Sequence, residues 1–237
     1  MKGKGRGRRG NDNEDTNISK TLSWLLRHGA VDEGLTIESN GYVPLPEVMQ
    51  FLKGKGHKDI TEERIRKIVD TNDKKRYELL EKKHHVFIRA TQGHTMKIVN
   101  TEDLLTKIED PSEYPVVIHG TFSKFWALIK PEGLKRMNRL HIHFAPGMPK
   151  EEGVVSGMRG SCDVIIEIDM AGAMKDGIDF YISSNKVILT EGIDGLLPVK
   201  YFKKVMKKDG TILQENEAIE PTQKIEKVEK EVEKVEK

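Results

Sequence analysis

The sequence predicts an α+β protein whose two halves are built differently. Apolar residues at helical spacing dominate the first 70 residues, whereas short apolar runs separated by glycines dominate residues 115–213. The sequence pattern changes at residues 100–114, which are interpreted as the connection between the two halves. With 237 residues, the chain is long enough for one large domain or two small ones.

Both ends of the chain are charged and lie outside this pattern. Residues 1–16 begin with five Lys or Arg and no acid among the first 10 positions, which predicts a disordered basic tail with weak affinity for phosphate, or a merely solubilising tail. No signal peptide or membrane span is predicted, because no apolar run approaches the roughly 20 residues a span needs. Residues 214–237 predict a charged helical or disordered tail, since two heptads are too few for a coiled coil.

Three helices are predicted in the first half. The first has Asn17 as its N-cap and Gly29 at its C-terminal end. The second covers residues 44–53, with proline in its first turn, and the third covers residues 61–70, with Thr61 as its cap.

A β-hairpin is predicted next, from two strand-like runs joined by Lys82 and Lys83. Three helices followed by a hairpin are typical of a winged helix, a fold that often binds nucleic acid. Residues 17–99 are therefore predicted to form a winged-helix lobe.

The second half is predicted to be a β-rich lobe covering residues 115–213. It lacks a glycine-rich loop between a strand and a helix, which argues against a Rossmann or P-loop nucleotide site. The predicted strands are residues 115–120, 140–145, 163–169, 179–183 and 186–192, and the predicted helices are residues 123–133 and 171–177.

Cys162 is the only cysteine, so the chain contains no intrachain disulfide. This fits a reducing compartment, and we expect a cytoplasmic or nuclear protein. Because its neighbours look like the start of a buried strand, Cys162 is interpreted as a small buried hydrophobe rather than a catalytic thiol.

Arg27 and His28 admit two interpretations. They are favourable cations at the end of a helix, or they belong to a site. Trp24 also lies off the apolar stripe of this helix, which indicates that a second body covers this face and leaves Arg27 and His28 in a cleft.

Strand alternation would place Arg139, His141 and His143 on one face, with His119 as a candidate third metal ligand. No closely spaced ligand set supports zinc, so no metal is expected. Core histidines and a polar pocket for an anionic cofactor both remain open. Further arginines occur in turn-like segments, and several arginines with a histidine would select phosphate.

Ordered motifs from residue 17 to about 206 resemble those of the tRNA 2′-phosphotransferase family, NAD-dependent enzymes that remove a splice-junction 2′-phosphate. The motifs are "ISKTLSWLLRHGA", "LTIESNGYVPL", "NDKKRYEL", "RATQGHT", "IHGT", "RMNRLHIHFAPGM", "VVSGMRGSCDVII" and "YISSNKVILTEGI". The resemblance implies an RNA-binding winged-helix lobe, an ADP-ribosyltransferase-like lobe for NAD, and 2′-phosphorylated tRNA or RNA as the partner. We expect a monomer.

By motif, the resemblance implies site residues in two groups. The catalytic quartet is Arg27, His28, Arg76 and Arg139. The NAD-binding residues are His119, Gly120, Thr121, His143, Ser156, Gly157 and Arg159. Lys75 and Tyr77 stand where the familiar motif has glutamine and phenylalanine, and both leave Arg76 in place.

The implied reaction needs no catalytic carboxylate. The ionised RNA 2′-phosphate displaces nicotinamide from NAD, and the ADP-ribose 2″-hydroxyl then attacks the bridging phosphorus. The products are repaired RNA and ADP-ribose 1″,2″-cyclic phosphate. The protein contributes positioning and electrostatics, chiefly through arginines and a histidine. The alternatives are an ADP-ribosyltransferase that caps phosphorylated nucleic-acid ends, and a non-catalytic winged-helix RNA-binding protein.

Overall fold

The computed structural model describes residues 7–149 and 151–215, with side chains from residue 13 onward. Its mixture of helices and antiparallel sheets confirms the predicted α+β class. The predictions for residues 1–6 and 216–237 lie outside the described residues. Within the described ranges, no helix is long and apolar enough to cross a membrane.

The first helix is longer than the sequence pattern predicts. Helix α1 covers Gly7–Trp24 and continues into a π-helical turn, Leu25–Gly29. The predicted start at Asn17 is therefore wrong, and residues 7–16 are helical. The wider turn is closed by the Ala30 amide, which donates to the carbonyl of Leu25 at 2.9 Å. Such one-turn π-bulges occur frequently at functional sites.

The rest of the first half follows the predicted order. Helices α2 (Leu45–Gly54) and α3 (Glu62–Asp70) precede the hairpin of β2 (Tyr77–Lys82) and β3 (His85–Ala90). A short strand, β1 (Val43–Pro44), completes a sheet of order β1-β3-β2. The Thr61 hydroxyl accepts from the Arg64 amide at 3.2 Å, which confirms the predicted cap of α3.

The segment between the halves is structured. It contains helix α4 (Thr101–Leu104), strand β4 (Thr106–Lys107) and a 3₁₀ turn, Pro111–Glu113. Strand β4 pairs with a strand of the second half, so this segment is hydrogen-bonded to a sheet of that half.

Both predicted helices and all five predicted strands of the second half are present. They are α5 (Ser123–Glu132), α6 (Met170–Lys175), β5 (Ile118–Thr121), β7 (Ile142–Phe144), β8 (Val164–Ile168), β9 (Tyr181–Ile182) and β10 (Ile188–Thr190). Four strands and a 3₁₀ turn of the second half were not predicted from the sequence: β6 (Leu134–Lys135), β11 (Leu196–Leu197), β12 (Phe202–Lys207), β13 (Ile212–Glu215) and the turn Val199–Tyr201.

The second half is built on two four-stranded antiparallel sheets. Their strand orders are β4-β9-β10-β7 and β13-β12-β8-β5. A bridge between Ile118 and Ala145 joins the two sheets, and their facing side chains share one apolar cluster. As a result, β5 and β7 lie side by side, which brings the histidines on these two strands together.

The two halves also share a core. The apolar cluster around α1, α2 and α3 includes Tyr181, Val187 and Leu189 from the second half. A smaller cluster beneath β5 contains Met158 and Cys162. Cys162 is buried as predicted, and burial raises the pKa of its thiol.

Candidate active site

A cleft of about 660 Å³ opens between α1, α3 and the segment before β2. Arg27, His28 and Arg76 line it, together with hydroxyl-bearing side chains of α1. The π-helical turn places Arg27 and His28 in the cleft while Leu25 and Leu26 stay fully buried. Three residues of the implied quartet therefore share one cavity.

The Arg27 side chain runs over Gly93, the backbone of which has φ +91°. A Cβ at Gly93 would lie 3.4 Å from Nε of Arg27, so a larger residue would crowd this path. Nε is buried and has no hydrogen-bond partner among the described residues. Burial lowers the pKa of Arg27 to about 10, and the nearby Arg76 and Arg139 contribute to the decrease. A buried guanidinium group with a free donor is well suited to an anionic ligand.

Thr95 fixes the orientation of the His28 ring. Its Oγ1 lies 3.0 Å from Nδ1 of His28 and donates to the carbonyl of Arg27 at 3.4 Å. In the neutral tautomer that carries its proton on Nδ1, His28 donates to Oγ1 and leaves Nε2 unprotonated. The pKa of His28 is lowered by burial and by Arg27 and Arg139, which favours this neutral ring.

Asn72 holds Arg76 in place. Its Oδ1 accepts from the Arg76 amide at 3.1 Å and from Nη1 at 3.4 Å. The neighbouring Lys75 has φ +43°, and its Nζ donates to the carbonyl of Asp70 at 2.6 Å. Lys75 is therefore directed toward the end of α3, and its departure from the family motif adds no cation to the cluster around Arg27.

Arg139 brings the second half of the chain to this cluster. Its pKa is lowered by burial and by Arg159, and Arg139 in turn lowers the pKa values of Arg27, His28 and His143. Arg136 supports the segment by donating from Nη1 to the Arg139 carbonyl at 2.6 Å. The structure thus groups Arg139 with Arg27 and His28.

His119 and His143 lie on the neighbouring strands β5 and β7. Nδ1 of His119 donates to the carbonyl of His143 at 2.9 Å, so Nε2 of neutral His119 is an acceptor. Burial lowers the pKa values of both histidines, and that of His143 lies well below its ordinary value. Nε2 of His143 is buried without a partner among the described residues. This part of the site presents neutral rings.

The remaining predicted NAD residues surround these strands. A Cβ at Gly120 would overlap Met158 and lie 2.6 Å from Sγ of Cys162, so only glycine allows this close packing. Gly157 has φ +107° and packs against the backbone after β7. Thr121 is buried at the end of β5. Ser156 lines a separate cleft of about 260 Å³.

The prediction that Arg139, His141 and His143 alternate along one strand is wrong for its first two residues. Strand β7 begins only at Ile142, and Arg139 lies in the turn before it. His141 is also turned toward other partners, because its Nε2 lies 3.0 Å from Oγ1 of Thr101. Among the described residues, no group of three or more His, Cys, Asp or Glu side chains is arranged to hold a metal ion.

The prediction that a second body covers Trp24 is also wrong for the described chain. The Trp24 indole is 45% exposed and lines the same cleft as Arg27 and His28.

Four residues near the site were not predicted to have a role: Asn72, Gly93, His94 and Thr95. Three of them belong to the motif "RATQGHT", and this motif was the feature of the sequence that could have indicated them. His94 is almost fully buried with both ring nitrogens unpartnered in the described structure, and burial lowers its pKa to about 3.

The site thus combines a cleft lined by Arg27, His28 and Arg76 with buried histidines on which Arg27 and Arg139 act electrostatically. Comparison with known proteins identifies the family: the chain belongs to the RNA 2′-phosphotransferase family, Tpt1 / KptA, with residues 13–192 matching. Every candidate site residue lies within the matched range.

Three relatives illustrate the similarity. A putative tRNA 2′-phosphotransferase of Schizosaccharomyces pombe is 43% identical over 201 residues, which are 85% of this chain and 54% of that protein. The tRNA 2′-phosphotransferase 1 of Danio rerio is 41% identical over 215 residues, covering 87% of this chain and 93% of the relative. The human tRNA 2′-phosphotransferase 1 is 41% identical over 196 residues, covering 81% and 76%.

Proposed function

We propose that this chain transfers the splice-junction 2′-phosphate of ligated tRNA to NAD. The products are RNA with a 2′-hydroxyl, ADP-ribose 1″,2″-cyclic phosphate and nicotinamide. The observation that carries the proposal is the single cleft lined by Arg27, His28 and Arg76, with Arg139 near enough to lower the pKa values of Arg27 and His28. Family membership supports the same activity.

Two lobes divide the substrates in this proposal. Residues 17–99 form a winged-helix lobe that binds RNA, supported by three helices and the β1-β3-β2 sheet. Residues 115–213 form an ADP-ribosyltransferase-like lobe that binds NAD, supported by its two joined antiparallel sheets. Residues 100–114 connect the lobes.

The residues on β5 and β7 fit NAD as the second substrate. The unpartnered Nε2 of His143 is a buried polar atom that a ligand can satisfy, and Nε2 of His119 is an acceptor for a ribose hydroxyl. Neutral rings suit the uncharged parts of a dinucleotide, whereas Arg159 supplies a cation for its phosphates. When bound, NAD supplies a ribose carbon from which nicotinamide departs.

The chain's own groups then have defined tasks. Arg27, Arg76 and Arg139 bind and orient the 2′-phosphate through guanidinium donors, which hold its oxygens better than point charges do. The unprotonated Nε2 of His28 takes the proton from the hydroxyl that attacks phosphorus. No carboxylate is needed, because the first nucleophile is already ionised.

The experiment is incubation with a 2′-phosphorylated oligonucleotide, with and without NAD, followed by analysis of RNA and small products. We expect a 2′-hydroxyl RNA and the cyclic phosphate only when NAD is present. RNA that keeps an attached ADP-ribose without cyclic phosphate would instead identify an end-capping transferase. Unchanged RNA with no NAD consumption would identify a non-catalytic RNA-binding protein.

A further inference from the structure

Helix α1 has a polar face that lines the cleft along several turns. Its members recur at the spacing of one helical face, opposite the buried Ile18 and Leu22. They are Ser19, Lys20, Ser23, Trp24, Arg27 and His28. We refer to these six residues as the α1 stripe. It extends from the catalytic cations toward the beginning of the helix.

Trp24 is the only large apolar side chain of the α1 stripe, and its ring packs against two neighbours. The indole stacks on Phe51 with ring centroids 6.3 Å apart and planes inclined by 23°. Its other support is Gly29, where a Cβ would lie 2.5 Å from the indole. Trp24 is nevertheless 45% exposed, and it contributes an aromatic side chain to a cleft that also contains charged and hydroxyl-bearing side chains.

The charge around Trp24 is complementary to nucleic acid. Lys20 and Arg27 lie one helical turn before and after it, and Arg76 faces it across the same cleft. The acid at the far end, Asp15, accepts from Nε of Arg64 at 2.8 Å, which compensates its charge. A ligand with anionic phosphates and a flat apolar group matches this surface, and RNA has both.

We propose that the solvent-exposed part of the Trp24 indole stacks on a nucleobase at or beside the 2′-phosphorylated nucleotide, while the α1 stripe guides the adjoining RNA strand. The proposal rests on the proposed function and extends it to substrate recognition. Trp24 acts as a platform that tolerates different bases, because every base has a π-face.

A coupling measurement tests the proposal. Dissociation constants are measured without NAD for a short 2′-phosphorylated RNA and for three versions, each with one abasic nucleotide: at the phosphorylated position, before it, or after it. Trp24→Leu is expected to weaken binding of the intact RNA by about 5- to 150-fold. For one of the abasic RNAs, the wild type should lose about as much affinity as Trp24→Leu loses for the intact RNA. Trp24→Leu should bind that abasic RNA only slightly more weakly than it binds the intact RNA.

The controls separate stacking from folding. Trp24→Phe retains an aromatic ring and should lose less affinity than Trp24→Leu. Phe125→Leu removes a half-exposed aromatic ring in the second half and should leave RNA affinity unchanged. The proposal would be overturned if, at all three positions, the affinity lost through Trp24→Leu and the affinity lost through the abasic nucleotide were additive. A wild type that fails to remove the 2′-phosphate with NAD would instead overturn the proposed function.

Fluorescence gives a second readout if Trp24→Leu folds poorly. The chain has two tryptophans, so Trp126→Phe leaves Trp24 as the only one. Binding of the intact RNA should quench this emission, and the abasic RNA identified above should quench it much less. Equal quenching by both RNAs would contradict stacking.

Discussion

The two sides of the candidate active site differ in how they present charge. The helical wall, formed by Arg27, His28 and Arg76, combines cations with a cleft open to solvent. The strand wall, formed by His119, Gly120 and His143, presents imidazoles whose pKa values are lowered by burial. Arg139 lowers the pKa values of residues in both walls.

This difference follows from local structure. A helix face or turn can direct long cationic side chains into a cleft while their backbone stays in a packed element. Adjacent sheet strands instead bring short side chains into a low-dielectric interior, where neutral forms are favoured. The contrast suggests a division of labour between a phosphate-binding wall and a dinucleotide-binding wall.

The largest expected effect comes from removing the guanidinium groups. Arg76→Ala or Arg139→Ala should slow turnover by about 10²–10³-fold, with the attack at phosphorus affected more than nicotinamide release. RNA carrying ADP-ribose on its 2′-phosphate should therefore accumulate. Lysine should substitute poorly, because an ammonium group lacks the planar pair of donors.

A time course that resolves substrate, adduct and product RNA measures this effect. Arg66→Ala is the matched control, since Arg66 pairs with Glu62 and Glu81 outside the cleft. Proportional loss of both steps, with no adduct, would show that the arginines do not divide the steps in this way.

The close packing behind the strand wall gives the next largest effect. Gly120→Ala should lower the free energy of unfolding by about 1–3 kcal/mol and weaken NAD binding, because its methyl group would overlap Met158. Gly160→Ala is the matched control, as nothing lies within 4 Å of a Cβ there. Urea unfolding of both variants checks the difference. Equal stabilities would contradict the described packing, and Met158→Ala should partly rescue Gly120→Ala.

Acidification tests the neutral state of the buried histidines around both walls. Burial lowers the pKa of His94 to about 3 and that of His141 to about 4. Above pH 6.5 both rings are neutral in the folded and unfolded chain. Below pH 6.5 the unfolded chain takes up protons that the folded protein excludes, so stability falls by up to about 1.4 kcal/mol per pH unit for each such histidine.

Urea unfolding between pH 7 and pH 5 measures this slope. His94→Gln should reduce the slope by about the share of one histidine. His84→Gln, at the exposed tip of the β2–β3 hairpin, is the matched control. A slope that His94→Gln leaves unchanged would rule out a neutral buried His94 as its source.

The smallest expected effect concerns the orientation of His28 within the helical wall. Thr95→Val removes the acceptor for Nδ1 and should lower kcat by about 5-fold while KM changes little, in line with the roughly 1 kcal/mol of one hydrogen bond. Thr95→Ser keeps the hydroxyl and should restore kcat. If Thr95→Ser were as slow as Thr95→Val, the methyl group rather than the hydrogen bond would matter.

The sequence predicted the elements that have one regular period. Helix α3 carries a clear cap and apolar stripe, and strand β8 is an apolar run interrupted only by Glu167, so both were found. Strand β12 was missed because its pairing shifts register between Phe202 and Lys204, which breaks the alternation of buried and exposed residues. The π-helical turn was missed because the sequence pattern assumes a period of 3.6 residues.

The candidate site was predicted by motif and not by local pattern. Helical spacing alone could not decide whether Arg27 and His28 are cations at a helix end or members of a site. Their neighbours Gly93 and Arg139 come from distant parts of the chain, which local spacing does not show. The inference from Trp24 was wrong for a related reason: its indole packs on Phe51 and Gly29 and otherwise faces the cleft. Sequence periodicity shows which face a residue occupies but not what lies opposite it.

The most direct test of the two-wall account measures two ligands against two variants. Dissociation constants for 2′-phosphorylated RNA and for NAD are determined by calorimetry for the wild type, Arg76→Ala and His119→Ala. The account predicts that Arg76→Ala weakens RNA binding by about 10- to 150-fold and leaves NAD binding within about twofold. His119→Ala is expected to weaken NAD binding by about 10- to 150-fold and to leave RNA binding within about twofold. Equal losses of both ligands in both variants would contradict it.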